Sequence, residues 1–469
     1  MIGENWRPVT DIVFVSKLVE AAVYEQLEDY FSSNGLWHPN HHGFKANHST
    51  TTAINQIYDF WIRAAENKEL TAALLLDLSA AFDIVDHQIL LDKLELYNFS
   101  MSALAWFRSY LSDRLQVVQV ESRLSDRKPI GSRGVPQGSL LGPILFLIFY
   151  NDFPMVREEG TSVLYADDDT DNVSDNDPYS LQDKIQAEVD LSTSWVRDNR
   201  MVCSGMKTKL LIVGTQELRN SKLLRNNLRL EINVDGCKVV ETESERLLGL
   251  IMNNVMSWKH HLYGNEETKG LVDKLSHRAS LISKLSKIMP KHRLKTFAEG
   301  IFFSVLNYGI GVYGNVWGIP NYDQQSRNSP AFTKEDNRRL QILVNKVLRL
   351  LTGLDRETSV IELHEKSRQL SVQQRCAFFS TLQVYKTLKN KKPMYHLDCF
   401  ESRNSQRATR SKPEIDINYR LSISRCSFFY RGAKLYNLLP TELMNMDKAA
   451  SFKKALKAWT VKNIPLIPP

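Results

Sequence analysis

Two apolar runs, each stopped by acid, limit what this chain can fold into. Val163-Leu164-Tyr165-Ala166 ends in Asp167-Asp168, and about 90 residues upstream Ala72-Ala73-Leu74-Leu75-Leu76 ends in Asp77. A short run of large apolar residues bounded by turn signals reads as a strand covered on both faces. Carboxylates at the exits of two such strands add nothing to a core. They do suit a divalent-metal site. Phosphoryl transfer to a hydroxyl is commonly served by two ions about 3.5–4 Å apart, and Mg²⁺ takes a few carboxylate oxygens together with water and substrate phosphate.

The rest of the composition is compatible with that chemistry. A chain of 469 residues exceeds one ordinary core, so two or three domains or subdomains are expected. With 43% hydrophobic and 24% charged residues it has the make-up of a soluble globular protein. The longest apolar stretch, Ile144 to Tyr150, is far too short to span a bilayer. Met1 to Arg7 lacks a secretory pattern, so the expected location is intracellular, in nucleus or cytoplasm. Cys203, Cys237, Cys376, Cys399 and Cys426 form no Cys-x-x-Cys pair, which argues for reduced thiols over disulfides or zinc. Charge is divided along the chain. Residues 1–255 hold 24 Lys+Arg against 36 Asp+Glu, a net −12, whereas residues 256–469 hold 36 against 17, a net +19. An acidic half that can hold metal, followed by a basic half that can hold phosphate, suits an enzyme acting on nucleic acid.

Periodicity predicts helices over Leu18–Phe31, Ala53–Ala65 behind the Ser49-Thr50-Thr51-Thr52 cap, Asp86–Leu96 with Asp86 as N-cap, and Ser102–Leu111. Val117–Val120 alternates like a weak strand, and Gly131–Gly142 is a Gly/Pro-rich loop that leads into a very apolar helix from Pro143. The strand ending at Asp167-Asp168 is expected to form a hairpin with the segment after it, carboxylates at the tip. Further helices are expected over Tyr179–Asn199, Val272–Ile288, Leu294–Leu306 and Asn337–Leu351, and short strands at Leu210–Val213 and Leu247–Ile251. Asn321–Lys334 reads as a polar linker, and 400–415, with Arg403, Arg407, Arg410 and Lys412, as a second break.

The surroundings of the carboxylates carry a family pattern. Leu74-Leu75-Leu76-Asp77-Leu78-Ser79-Ala80-Ala81-Phe82-Asp83 resembles motif A of reverse transcriptases from non-LTR (LINE-type, jockey-like) retrotransposons. Gly134-Val135-Pro136-Gln137-Gly138-Ser139-Leu140-Leu141-Gly142-Pro143 resembles their motif B, and Leu164-Tyr165-Ala166-Asp167-Asp168 their motif C, in the family's order and spacing. Trp6-Arg7-Pro8-Val9, His42-Gly43-Phe44-Lys45 and His48-Ser49-Thr50 are similar to the fingers motifs. Trp195, Asn199 and Lys207-Thr208 resemble motif D; Leu247-Leu248-Gly249 with Trp258 and His261 resemble motif E, the primer grip. Ser427-Phe428-Phe429-Tyr430-Arg431-Gly432 and Leu438-Leu439-Pro440 resemble the C-terminal region of these elements, so the likeness covers nearly the whole chain.

The resemblance implies an α+β right-hand polymerase fold: fingers and palm with an antiparallel sheet over 1–255, a helical thumb over 256–350 and a basic C-terminal region over 351–469. It implies an RNA-directed DNA polymerase that adds dNTPs to a primer 3′-hydroxyl on an RNA template, with two Mg²⁺ ions, or Mn²⁺, held by Asp77, Asp167 and Asp168. Phe82 would be the steric gate against a ribose 2′-hydroxyl. Gln137 and Gly138 would line the dNTP pocket, Arg7 would meet the triphosphate, and Lys207 would protonate or steady the pyrophosphate. Lys45 carries a weaker version of that role. The RNA–DNA hybrid would be tracked through its phosphates by Lys284, Lys287, Lys291, Arg293 and Lys295. No membrane partner is expected.

The chain also departs from the pattern. Asp169 follows the catalytic pair where a hydroxyl or small residue is usual, and six carboxylates fall within residues 167–177. Regular alternation would send Asp167 and Asp169 to one face and Asp168 to the other; Asp169 is expected to be a solvated turn residue rather than a spare ligand. Met206 stands where an acidic or polar residue is common, and Asn253 where motif E often has Asp. The N-terminal endonuclease of such elements has no counterpart, so the chain is expected to be the polymerase and C-terminal part of a longer polyprotein. The competing reading is a decayed or domesticated copy that binds nucleic acid without turnover.

Overall fold

A computed structural model describes residues 10–319, 332–401, 415, 424 and 427–466. The first half alternates helices with a central sheet. Helices α1 (Phe14–Ser33) and α2 (Thr50–Glu66) precede strand β1 (Leu70–Leu76). Then come α3 (His87–Leu96), α4 (Met101–Leu111), four exposed two-residue strands β2 (Leu115–Gln116), β3 (Gln119–Val120), β4 (Arg123–Leu124) and β5 (Lys128–Pro129), and α5 (Leu141–Tyr150). The hairpin β6 (Thr161–Tyr165) and β7 (Asp168–Asp175) is followed by α6 (Pro178–Asp198), β8 (Lys209–Val213), α7 (Gln216–Lys222), β9 (Glu231–Val234) and β10 (Cys237–Thr242). The expected caps are in place. Ser49 makes a full capping box with Thr52, and the Asp86 carboxylate accepts the Gln88 and Ile89 amides.

The sheet runs β6-β7-β1-β8-β10-β9. It is not wholly antiparallel as expected: β8 and β10 pair in parallel, joined through the intervening β9 segment. β1 lies between β7 and β8, antiparallel to both, and is covered on both faces. Leu70, Ala72, Leu74 and Leu76 enter one core with α3–α6, while Ala73 enters a second core with α2. That double coverage is why its sequence is an uninterrupted apolar run rather than an alternating one.

Beyond the sheet, β11 (Ser244–Leu247) and β12 (Leu250–Asn253) form a hairpin where a single strand over Leu247–Ile251 was expected. Leu248 (φ 45°) and Gly249 (φ 86°) both take left-handed backbone at its two-residue tip, the twist a tight hairpin requires. Then follow α8 (Lys259–Tyr263), α9 (Leu271–Leu285), α10 (Lys291–Ala298), α11 (Ser304–Asn307) and α12 (Ile310–Tyr313). The expected helix over Leu294–Leu306 is broken by a π-helical turn at Glu299–Phe303. The second core extends through α13 (Lys334–Thr352), α14 (Val360–Ser367), α15 (Val372–Asn390), α16 (Met394–Glu401), α17 (Phe428–Asn437), α18 (Thr441–Met444) and α19 (Ala449–Asn463). Arg431 on α17 is fully buried, and its guanidinium donates to the carbonyls of Gly311 within α12 and Gly314 at its C-terminal end. It is a core brace rather than a phosphate contact. Most of the expected linker 321–334, and Arg403, Arg407, Arg410 and Lys412, lie outside the described residues. No described helix is long and apolar enough to cross a membrane.

Candidate active site

The sheet register brings the two acidic strand ends together. β1 and β7 pair from Leu70↔Asp175 to Leu76↔Asp169, so Asp77 and Asp168, the residues next to that last pair, stand at the same end of the sheet. On the other side of β7, Tyr165 pairs with Asp168. Asp167 occupies, with Ala166, the two-residue turn between β6 and β7, where Ala166 takes φ 60°. Asp168 is exposed, and Asp77 and Asp167 are half-buried.

The turn is held from behind. Asn40 and His42 bond along β6 through the Leu164 amide and carbonyl (3.0 and 2.7 Å). Gly43 then passes so close that a Cβ there would lie 2.3 Å from the Ala166 nitrogen. Only glycine permits that approach. Asp77 is held from the other side. Its carbonyl accepts the Ser204 amide (2.9 Å), its amide reaches the Thr208 hydroxyl (3.5 Å), and Ser79 donates to the Val202 carbonyl (2.9 Å). This pins the Val202–Thr208 loop beside the carboxylates and leaves Lys207 exposed upon it.

Phe82 follows Asp77 on a 3₁₀ turn, its ring stacked on Phe146 of α5 (centroids 4.4 Å) and met edge-on by Phe44 (6.1 Å). The Phe82 carbonyl accepts the Val135 amide (2.8 Å), and Asp83 accepts from Gln137 Nε2 (2.7 Å). The Gln137-Gly138 loop is thereby fixed against the Phe82 turn. Arg7 lies outside the described residues; three residues on, the Thr10 amide donates to the Gln137 carbonyl (2.8 Å). Lys45 is largely buried, donates to the His38 carbonyl (3.0 Å), and burial with nearby Lys392 lowers its pKa to about 8. Lys284, Lys287, Arg293 and Lys295 are exposed around the α9–α10 corner. Lys291 is exposed there as well and donates to the Thr352 carbonyl at the end of α13 (3.1 Å), the usual place for a cation on a helix C-terminus.

Asp169 corrects the expectation set for it. It is 2% exposed, not solvated, and lies on the sheet face opposite Asp77 and Asp168, because it pairs with the core residue Leu76. The turn at Ala166-Asp167 interrupts the alternation that would have grouped Asp167 with Asp169. Behind the hairpin, Arg157 approaches Asp171 (2.6 Å), Asp169 (3.6 Å) and Glu188 (3.9 Å), and donates to Ser162 Oγ (2.7 Å) and the Glu188 carbonyl (3.0 Å). Burial pushes the Asp169 carboxyl well above the usual range, neighbouring Asp171 adds to it, and Arg157 opposes it. Arg157 was not singled out from the sequence, because its acidic partners Asp169, Asp171 and Glu188 lie 12, 14 and 31 residues further along the chain.

Among the described residues no three His, Cys, Asp or Glu side chains converge into a ready-made metal cage. The oxygen-only donors at the strand ends still fit Mg²⁺, which is usually bound through one or two carboxylates and completed by water and substrate phosphate.

A reverse transcriptase (RNA-dependent DNA polymerase) family profile matches residues 3–252. Two Drosophila melanogaster proteins are similar across most of the chain. The probable RNA-directed DNA polymerase from transposon X-element is 22% identical over 89% of this chain and 42% of its own length. That from transposon BS is 23% identical over 78% and 39%. The chain thus spans about two fifths of the length of these relatives. A solved telomerase from Candida albicans, in complex with a fragment of telomeric RNA, overlaps 76% of this chain and 59% of its own at 14% identity, with a TM-score of 0.38. The three motifs that supply Asp77, the Gln137 loop and Asp167-Asp168 all fall inside the matched span, and the chain belongs to the reverse transcriptase (RNA-dependent DNA polymerase) family.

Proposed function

We propose that the chain is an RNA-directed DNA polymerase that extends a primer 3′-hydroxyl with dNTPs on an RNA template, as part of retrotransposition. The observation that supports this reading is the register that brings the ends of β1 and β7 together, so that Asp77 and Asp168 stand at one end of the sheet with Asp167 on the adjoining turn. Asp77, Asp167 and Asp168 would hold two Mg²⁺ ions. When bound, these would supply a lowered pKa at the attacking hydroxyl and charge neutralisation at the leaving pyrophosphate. The remaining work falls to the chain itself. Phe82, wedged between Phe146 and Phe44, has little freedom to yield to a 2′-hydroxyl. The Gln137-Gly138 loop would bound the dNTP, with Arg7 at the triphosphate and Lys207 at the pyrophosphate. On this reading 1–255 are fingers and palm, 256–350 a helical thumb and 351–469 a basic tail. Lys284, Lys287, Lys291, Arg293 and Lys295 would meet the RNA–DNA hybrid through its phosphates.

The test is primer extension on poly(rA)/oligo(dT) with Mg²⁺ or Mn²⁺. Incorporation of dTTP should exceed that of Asp168→Ala by a hundredfold or more. Incorporation no greater than that control would overturn the enzymatic reading in favour of a protein that only binds nucleic acid.

A further inference from the structure

Helix α1 is fastened to the body by one side only. Glu20, Leu27 and Phe31 are buried there, and the Glu20 carboxylate accepts the Leu140 amide (2.8 Å) and the Tyr110 hydroxyl (3.0 Å). The opposite side of such a helix is ordinarily polar. Here Val15, Leu18 and Val19 are 66, 57 and 49% exposed, and Ala22 is exposed with them. Their i, i+3, i+4, i+7 spacing makes one continuous apolar stripe two turns long. Glu25 and Asp29, both exposed, continue the same face beyond it. Anchors at that spacing on an exposed face are the form of a helix that lies in a groove of another surface.

The C-terminal region carries a groove of matching form. A cleft of about 890 Å³ lies between α14 and α19, and Gln374 Nε2 holds the chain after α19 against it by donating to the Ile464 carbonyl (2.9 Å). Ile361 and Val461 line it from the two helices, 61 and 53% exposed, with Val360 and Ile464 beside them. Arg368, Lys454, Lys457 and Lys462 also line it, against the single acid Glu365. No Phe, Tyr or Trp is among the lining residues, so the cleft lacks the ring on which a nucleic-acid base would stack. Aliphatic side chains ringed by cations suit an aliphatic stripe that ends in acids. The halves of the chain that carry these two faces are opposite in charge as well, −12 over 1–255 and +19 over 256–469.

We propose that α1 of one copy docks in the α14–α19 groove of a second copy. Val15, Leu18, Val19 and Ala22 cover Ile361 and Val461, and Glu25 and Asp29 meet the lysines of α19. Stripe and groove are different surfaces, both open on the same chain, so each copy can use both at once. The association is therefore head to tail and extends beyond a dimer.

Sedimentation velocity of the full chain, run over a range of concentrations, tests this. Wild type should grow past the dimer as concentration rises. Leu18→Glu and Ile361→Glu, both at exposed positions outside the core, should each weaken association by about tenfold or more, since each sets a charge against an aliphatic surface. An equimolar mixture of the two should form a one-to-one dimer and nothing larger, because one variant keeps the groove and the other the stripe. A fluorescein-labelled peptide of residues 11–30 should bind wild type and Leu18→Glu at least about tenfold more tightly than Ile361→Glu. A wild type that stays monomeric up to its solubility limit overturns the proposal, as does a mixture of the two variants that remains monomeric. Loss of association in Leu18→Glu with wild-type assembly in Ile361→Glu means that α1 pairs with itself, and also overturns it. So does a labelled oligo(rU) that loses affinity in Ile361→Glu while self-association is unchanged, since the groove then holds nucleic acid.

Discussion

Removing the Arg157 guanidinium should destabilise the fold by about 4 kcal/mol, because it neutralises a buried acidic cluster directly behind the carboxylate hairpin. Its side chain is 3% exposed and bridges β6 through Ser162, β7 through Asp169 and Asp171, and α6 through Glu188. In Arg157→Met the Asp171 carboxylate loses its only cation within 4 Å among the described residues. Breaking a buried pair from one side costs about 3–5 kcal/mol. Proton uptake limits the charge part: protonating a carboxyl of ordinary pKa at pH 7 costs about 4 kcal/mol. It costs less here, because burial already holds Asp171 above that value. The bonds to Ser162 and the Glu188 carbonyl add about 1 kcal/mol each. Methionine keeps part of the packing on Phe153, whose ring lies 4.5 Å from the guanidinium.

Urea unfolding of wild type, Arg157→Met, Asp171→Asn and the double variant separates charge from packing. If the charge argument holds, the double variant recovers about 2 kcal/mol or more relative to the sum of the singles. Asp169→Asn, which removes the least compensated carboxylate, should be neutral or stabilising and should leave dTTP incorporation intact, since Asp169 faces away from Asp77. A loss below about 1 kcal/mol in Arg157→Met, or strict additivity with Asp171→Asn, would refute the reasoning.

Two further outcomes follow from the same structure. Phe82→Val removes the ring held between Phe146 and Phe44 and should raise rNTP use relative to dNTP by tenfold or more in single-nucleotide extension; unchanged sugar selection would exclude a gate at this position. His261 is buried beneath β12, its Nδ1 accepting the Ile251 amide at 3.4 Å, and burial lowers its pKa to about 3. The unfolded chain takes up this proton first, so the stability tied to neutral His261 is whole above pH 6.5 and is lost as pH falls from there toward 3. Between pH 7.5 and 5.5 wild type should lose about 1.4 kcal/mol more than His261→Gln. A difference independent of pH would show that His261 keeps its ordinary pKa.

How much of this was legible beforehand follows from the range of each interaction. The apolar run of β1, the acidic ends of β1 and β6, the caps at Ser49 and Asp86 and the glycine loop after Gly131 are set by residues within a few positions of one another. Pattern alone therefore locates them, and Asp77, Asp167 and Asp168 with them. Strand alternation misplaced Asp169, because the two-residue turn at Ala166-Asp167 starts a new strand and resets which side each residue faces. The helix expected across Leu294–Leu306 ignored the π-turn, since local propensity does not register that Phe302 and Phe303 must both reach the core.

By itself, then, the sequence determined the apolar runs of β1, β6 and β8 and which carboxylates stand at the ends of β1 and β6, all of which depend on near neighbours in the chain. Only the tertiary structure decided that β1 and β7 pair so that Asp77 and Asp168 reach the same end of the sheet, that Asp169 turns inward to Arg157, and that Tyr308 bonds to a hairpin some 60 residues before it. Sheet register, burial of charge and the meeting of distant loops are properties of packed elements, and no local pattern of residues encodes them.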